Sequence, residues 1–261
     1  MYCRFALFIL CLTVAFLVSC APVRPKLVGD PVKQSFADGL MQEWSESSSR
    51  VSSVQGLAKV KVDTPEKSMN GTQVILAEKP NRLRAETLSP FGSPLLLLTA
   101  DGETLRVSLP SRNVFYTGEA TAANLGRFVR IPLRLTDLIS VLLYQPPIID
   151  SLREEAFELQ EGGWLLVRYY SKRRQELTFN HARQLVEVSY YDQDELFLKI
   201  DYGEFAEGGD PLPQLFGIEL PRQKTTASLE FSDLETNGRL RPGIFQLDPP
   251  ATATIIPLDE K

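Results

Sequence analysis

From Val54 onward the apolar residues recur at every second position, and this alternation constrains the fold of the chain more than any other feature. Gly56, Ala58, Val60 and Val62 alternate with Leu57, Lys59 and Lys61, the pattern of a strand with one face buried and the other wet. Gly71 to Glu78 and Arg82 to Leu88 continue it across Lys79-Pro80-Asn81. Leu95 to Thr99, Thr104 to Leu109 and Val114 to Thr117 follow, with Asp101-Gly102 as a hairpin turn. A second series begins after Glu161-Gly162-Gly163: Trp164 to Tyr170, Glu176 to Phe179, Leu185 to Tyr191 and Leu196 to Gly203. Phe216 to Leu220 and Thr226 to Leu234 complete it. Strands do not alternate with helices one by one, which argues against a parallel sheet of βαβ units. The pattern predicts a mainly β fold with some helix: one unclosed antiparallel β-barrel of about eleven strands, curved over helices.

Helical spacing occurs in two places. Ser35 to Val51 carries Phe36, Leu40 and Trp44 at i, i+4 and i+8, an N-terminal amphipathic helix. Between the two strand series, Ala120 to Arg130 forms a short helix. Thr136-Asp137 caps another that runs to about Tyr144, where Pro146-Pro147 stop it. The second helix presents Leu135, Leu138, Ile139, Leu142 and Leu143 on one face with Val141 beside them. A segment apolar nearly all round must be covered on more than one side. No repeat period and no linker divides residues 34–261, which are expected to form one domain.

Residues 1–19 are an address. Arg4 precedes an apolar run from Phe5 to Val18, too short to span a bilayer comfortably and fitting the h-region of a signal peptide. The run ends in Leu17-Val18-Ser19-Cys20, which looks like a bacterial lipobox, so Cys20 is expected to be the acylated N-terminus of the mature chain. Ala21, in place of Asp, implies delivery to the outer membrane under the enterobacterial-type rule. Cys3 and Cys11 leave with the signal, so no disulfide framework remains. Residues 20–33, with Pro22, Pro25 and Pro31, read as an extended tether.

Chemistry is nearly absent from the pattern. His181 is the single histidine and falls in a turn. There is no nucleophilic cysteine, Gly-x-Ser-x-Gly elbow or phosphate-binding glycine loop. Asp192, Asp194 and Glu195 lack an EF-hand pattern, Lys172-Arg173-Arg174 is a solvated hairpin tip, and Asn70-Gly71-Thr72 reads as a turn rather than a glycosylation site. A formal charge of −5 argues against nucleic-acid binding. The expectation is no enzyme, no metal and no cofactor beyond the covalent lipid on Cys20.

Several stretches nevertheless resemble one family, the outer-membrane lipoprotein receptor LolB, and more distantly the periplasmic carrier LolA. Gly56-Leu57-Ala58 resembles the first strand of that family. Ser89-Pro90-Phe91-Gly92-Ser93 looks like its protruding loop, and the Ala100-Asp101-Gly102 turn follows. Ile131-Pro132-Leu133 with Leu138 to Tyr144 and Pro146 resembles its helical lid; Pro242-Gly243-Ile244-Phe245 and Pro249-Pro250 look like the superfamily ending. The resemblance implies a receptor on the periplasmic face of the outer membrane. Such a receptor takes lipoprotein acyl chains from a LolA-like carrier and inserts the lipoproteins into outer-membrane lipid. It implies an apolar cavity lined by Leu96, Leu98, Leu138, Leu142 and Leu143, and a membrane-insertion loop at Pro90, Phe91 and Gly92. Two readings of Phe91 stay open on turn chemistry alone: a protruding side chain, or a plug folded onto the barrel rim. Two other functions compete with the receptor, a carrier of another amphiphile and an envelope-assembly scaffold. Leu95 and Leu97 depart from the family's alternation and point outward with nothing assigned to cover them.

Overall fold

The computed structural model describes residues 27–206 and 212–258. The expected signal peptide and Cys20 lie outside the described residues. Fifteen strands form one sheet. They are β1 (Leu27–Val28), β2 (Ser53–Asp63), β3 (Ser68–Glu78), β4 (Arg82–Leu88), β5 (Pro94–Ala100), β6 (Thr104–Leu109), β7 (Val114–Glu119), β8 (Arg153–Leu159), β9 (Trp164–Tyr170), β10 (Arg173–Phe179), β11 (Leu185–Asp192), β12 (Glu195–Phe205), β13 (Pro213–Leu220), β14 (Thr225–Thr236) and β15 (Thr254–Leu258). Their order is β1-β8-β9-β10-β11-β12-β13-β14-β2-β3-β4-β5-β6-β7-β15, so β1 and β15 are free edges and the barrel is unclosed. Every pairing is antiparallel except β15 on β7. The architecture is the expected one, enlarged by three strands the alternation did not reveal: β1, β8 and β15, all at or next to an edge. In β8 the run Arg153-Glu154-Glu155 hides the period, and edge strands are where charge is tolerated.

Register sorts the turns into two rims. The turns at residues 64–67, 89–93, 110–113, 171–172, 193–194 and 221–224 all lie at one end of the sheet. Those at 79–81, 101–103, 160–163 and 180–184 lie at the other. Asn70-Gly71-Thr72, expected as a turn, lies inside β3 with Gly71 opposite Val60.

Three helices cover the concave face: α1 (Gln34–Ser49), α2 (Ala122–Val129) and α3 (Leu135–Leu142). In α2 the Thr121 hydroxyl accepts from the Asn124 amide at 3.2 Å, a side-chain cap. α1 crosses the open mouth. Gln34 donates to Glu154 at its start, Phe36 stacks near Trp164, and Trp44 meets the edge of Tyr144. After β14, residues 238–253 run over the outer face before β15 adds to β7. Arg84 donates to the Ile244 carbonyl at 2.8 Å, and Arg82 lies over the Phe245 ring.

The tether is shorter than expected. Leu27 and Val28 pair with Leu159 and Glu158, and the Val32 amide donates to the Ala156 carbonyl at 2.7 Å. The described part of residues 20–33 is therefore held along the β8 edge. It joins at the rim opposite residues 89–93.

Candidate functional site

The concave face is apolar, and α3 sits in it. Ala58, Ala77, Ala85 and Ala100 from β2 to β5 are buried, and these short side chains let the helix approach the sheet closely. Leu98, Leu138, Leu142 and Leu143 all belong to the same packed core, and Leu96 is half-buried against it. The residues predicted to line a cavity are thus brought together, but α3 fills the space between them. On the other half of the sheet an aromatic chain does the filling: Tyr144 meets Tyr202 edge-on at 4.9 Å, Tyr202 meets Phe216, and Phe216 meets Phe231.

Beyond α3, residues 145–151 lead from the concave face toward the rim without joining a strand ladder. The Gln145 amide donates to the Ser140 carbonyl and the Leu152 amide to the Tyr169 carbonyl, and between them side chains supply the partners of Pro147 and Ile149. Gln175, fully buried on the inner face of β10, donates to the Pro147 carbonyl at 2.9 Å and accepts from the Ile149 amide at 3.0 Å. One side-chain amide thus replaces a neighbouring strand. Tyr190 donates to the same Pro147 carbonyl at 2.8 Å. Tyr202 donates to Val141 at 3.3 Å, and Tyr144, itself left-handed at φ 60°, donates to Leu185 at 3.0 Å. Gln145 donates to the Val51 carbonyl at 3.0 Å and also to that of Ser48. Burial pushes the phenols of Tyr144, Tyr190 and Tyr202 well above their usual range. They stay neutral donors across all physiological pH.

This clasp was not anticipated. Gln175 occupies the inward phase of the series Gln175, Leu177, Phe179, and a polar residue in that phase requires a buried partner. Reading the strand from Glu176 concealed it.

Phe91 is 95% exposed, and its side chain stands clear of the barrel rim rather than folding onto it. The hairpin explains the exposure. The Gly92 amide donates to the Ser89 carbonyl, the Ser89 amide donates to Ser93, and Gly92 adopts φ 81°. That is a three-residue loop ending in a left-handed glycine, which leaves the side chain before the glycine at the tip. Leu95 sits in a bulge opposite Leu88 and is also exposed; Leu97 is half-buried.

Clefts indent the surface formed by the described residues. One of about 490 Å³ lies between α1 and the start of β8, lined by Gln34, Asp38, Met41, Leu152, Glu154 and Arg168. Another of about 330 Å³ lies beneath the 238–253 strap, against Arg82 and Asp101. Neither is lined by the predicted cavity leucines. His181 is exposed in the 180–184 turn, and the acidic turn is tied down by Arg174 to Asp194 and Arg222 to Glu195. Among the described residues no group of metal-ligating side chains assembles, and no helix is long and apolar enough to cross a membrane.

No family model and no curated protein matches the chain. Solved structures do. A domain assigned to outer membrane lipoprotein sorting from Vibrio parahaemolyticus superposes with a TM-score of 0.53 at 12% identity, covering 80% of this chain and 95% of that one. A DUF1329 family protein from Desulfovibrio piger gives 0.50 at 15%, covering 84% and 98%. A LolA superfamily protein from Nitrosomonas europaea gives 0.49 at 15%, covering 81% and 97%. The first two share the unclosed-barrel fold with this chain. At these identities, fold is what the likeness establishes.

Proposed function

We propose that the chain binds acyl chains in its concave face, and that it accepts lipoproteins from a LolA-like soluble carrier and inserts them into the outer membrane. The observation that carries this reading is how the concave face is closed. α3 and residues 145–151 lie across apolar sheet, held by apolar packing and a few side-chain hydrogen bonds rather than by a strand ladder. A closure of that kind is displaceable. An acyl chain of about sixteen carbons gains on the order of 12 kcal/mol on leaving water, at about 0.8 kcal/mol per CH₂. Several hydrogen bonds of about 1 kcal/mol each are small beside it, and an entering chain replaces the apolar contacts that the α3 leucines give up.

Two further features support the reading. Phe91 stands at a hairpin tip where an aromatic can enter the lipid interface, gaining about 1.5–3 kcal/mol on burial, enough for transient contact but not for anchoring. The fold is shared with a domain assigned to lipoprotein sorting. In this reading Cys20 carries the lipid anchor, the chain works at the periplasmic face of the outer membrane, and it performs no chemical step. The pinned edge then sets a geometric condition. Seven residues from Cys20 to Leu27 reach at most about 25 Å, and β8 is about 23 Å long at roughly 3.3 Å per residue. The anchor and Phe91 meet one bilayer only if the tether runs back along the β8 edge.

Depletion of the protein tests the receptor role. Lipoproteins should accumulate in the periplasm bound to their carrier, and normal sorting after depletion refutes it. A second reading, a lipid-anchored scaffold with a permanently closed core, is favoured by the complete burial of Leu98 and Leu143. Absence of acyl-probe binding would support that reading.

A further inference from the structure

The rim that carries Phe91 also carries five cations that, among the described residues, have no ion-pair partner, in a chain that is acidic overall. Successive turns at one end of an antiparallel sheet are two strands apart, about 10 Å at roughly 4.8 Å per strand. Lys67, in the 64–67 turn, and Arg112, in the 110–113 turn, therefore flank the 89–93 hairpin on its two sides. Further round the same rim are Lys172 and Arg173 in the β9–β10 hairpin and Lys224 in the β13–β14 corner. All five are exposed, and among the described residues none has a carboxylate within ion-pair distance. Of the acids there, Asp194 is engaged with Arg174 and Glu195 with Arg222, leaving Glu66 and Asp192. The opposite rim is mixed, with Glu103, Glu119 and Glu161 beside Lys79 and Arg183. The charged rim is also apolar at its tips: besides Phe91, Leu152 is 79% exposed and Tyr170 44% exposed.

We propose that this rim is a membrane-docking surface in which Lys67 and Arg112 bind anionic lipid headgroups on either side of the inserted Phe91. Lys172, Arg173 and Lys224 extend the contact around the rim. Apolar tips beside cations match a lipid surface, which presents negative charge above hydrocarbon; an acidic protein would leave the exposed Phe91 and Leu152 unused. The proposal rests on the Phe91 reading above and adds the chemistry of its target.

Residues 21–261, which hold every described strand and helix, remove the anchor from the measurement. Their binding is compared on vesicles of phosphatidylcholine alone and of phosphatidylcholine mixed with phosphatidylglycerol. Binding is expected to be stronger on the mixed vesicles and to weaken with salt. Lys67→Gln and Arg112→Gln should each reduce binding to the mixed vesicles about fivefold and leave binding to the neutral ones unchanged. Phe91→Glu should reduce both. Equal binding to the two compositions, still lost in Phe91→Glu, overturns the headgroup assignment while the Phe91 reading stands. No binding to either vesicle overturns both. Unaltered melting of the Gln variants confirms that folding does not enter the comparison.

Discussion

Gln175 donates through Nε2 to the Pro147 carbonyl at 2.9 Å, and through the same side chain β10 holds a segment that no strand pairs with. This clasp joins the rigid sheet to the part of the concave face that must yield if an acyl chain is to enter. Gln175→Ala leaves the Ile149 amide without its partner, whereas Pro147 keeps Tyr190. Stability should fall by about 2 kcal/mol, and uptake of a fluorescent fatty acid should quicken. Stopped-flow mixing reads the second effect; an unchanged uptake rate at reduced stability would mean that residues 145–151 do not move.

The buried phenols give the chain an alkaline limit. Tyr144, Tyr190 and Tyr202 have folded-state pKa values above the ordinary 10.0, chiefly because burial disfavours the phenolate. Such a contribution is whole below pH 10 and is lost as the pH rises beyond it. Lys199 acts in the same direction. Burial lowers its pKa, but Glu187 and Asp201 outweigh that and hold it at about 12, so its share is whole below 10.5 and lost through 12. Denaturant midpoints should be flat from pH 7 to about 9.5 and then decline, and Tyr190→Phe should soften the decline. A profile unchanged by Tyr190→Phe contradicts the assignment.

Phe91→Glu should leave the melting temperature within about one degree of the parent, since a side chain 95% exposed contributes little to the core. Transfer of lipoprotein from carrier to receptor should continue while insertion into liposomes stops. A fall of many degrees would return Phe91 to the barrel rim.

The lid leucines behave as core in the closed state. Leu143 is fully buried, and Leu143→Ala should cost about 3 kcal/mol by urea titration. A loss below about 1 kcal/mol would mean that space already exists beneath α3. A polar residue at 143 should cost more still, since it would place an unpartnered polar group in the core.

Deleting three residues from the 21–26 stretch should leave membrane anchoring intact and impair Phe91-dependent insertion, because the shortened tether no longer spans the β8 edge. Lengthening the same stretch with Gly-Ser repeats should be tolerated. Insertion undiminished by the deletion would place Phe91 and Cys20 on different surfaces.

The central strands were legible because one face is buried and one is wet, a period plain from Ala58 to Val62 in β2 and from Arg82 to Ala85 in β4. β1, β8 and β15 were not, since an edge strand is free to carry Arg153, Glu154 and Pro257. The Phe91 turn could be read from Pro90 and Gly92, whose φ requirements are local; the direction of the side chain could not, because a turn does not report what lies beside it. The leucines of α3 announced a buried helix. Whether they line a space or fill it depends on contacts distant in sequence, such as Gln145 reaching Val51 across 94 residues. The clasp depends on Gln175 meeting Pro147 across 28 residues, a pairing no periodicity encodes.

The most direct test of the account is a titration of residues 21–261 with a fluorescent fatty acid, followed by competition with an acylated lipoprotein peptide. The account predicts saturable binding with one site per chain, displaced by the acylated peptide, untouched by its unacylated form, and weakened when Leu138 or Leu142 is made polar. A chain that melts cooperatively yet shows no saturable binding at any probe concentration would contradict it, and would leave the concave face a permanently closed core.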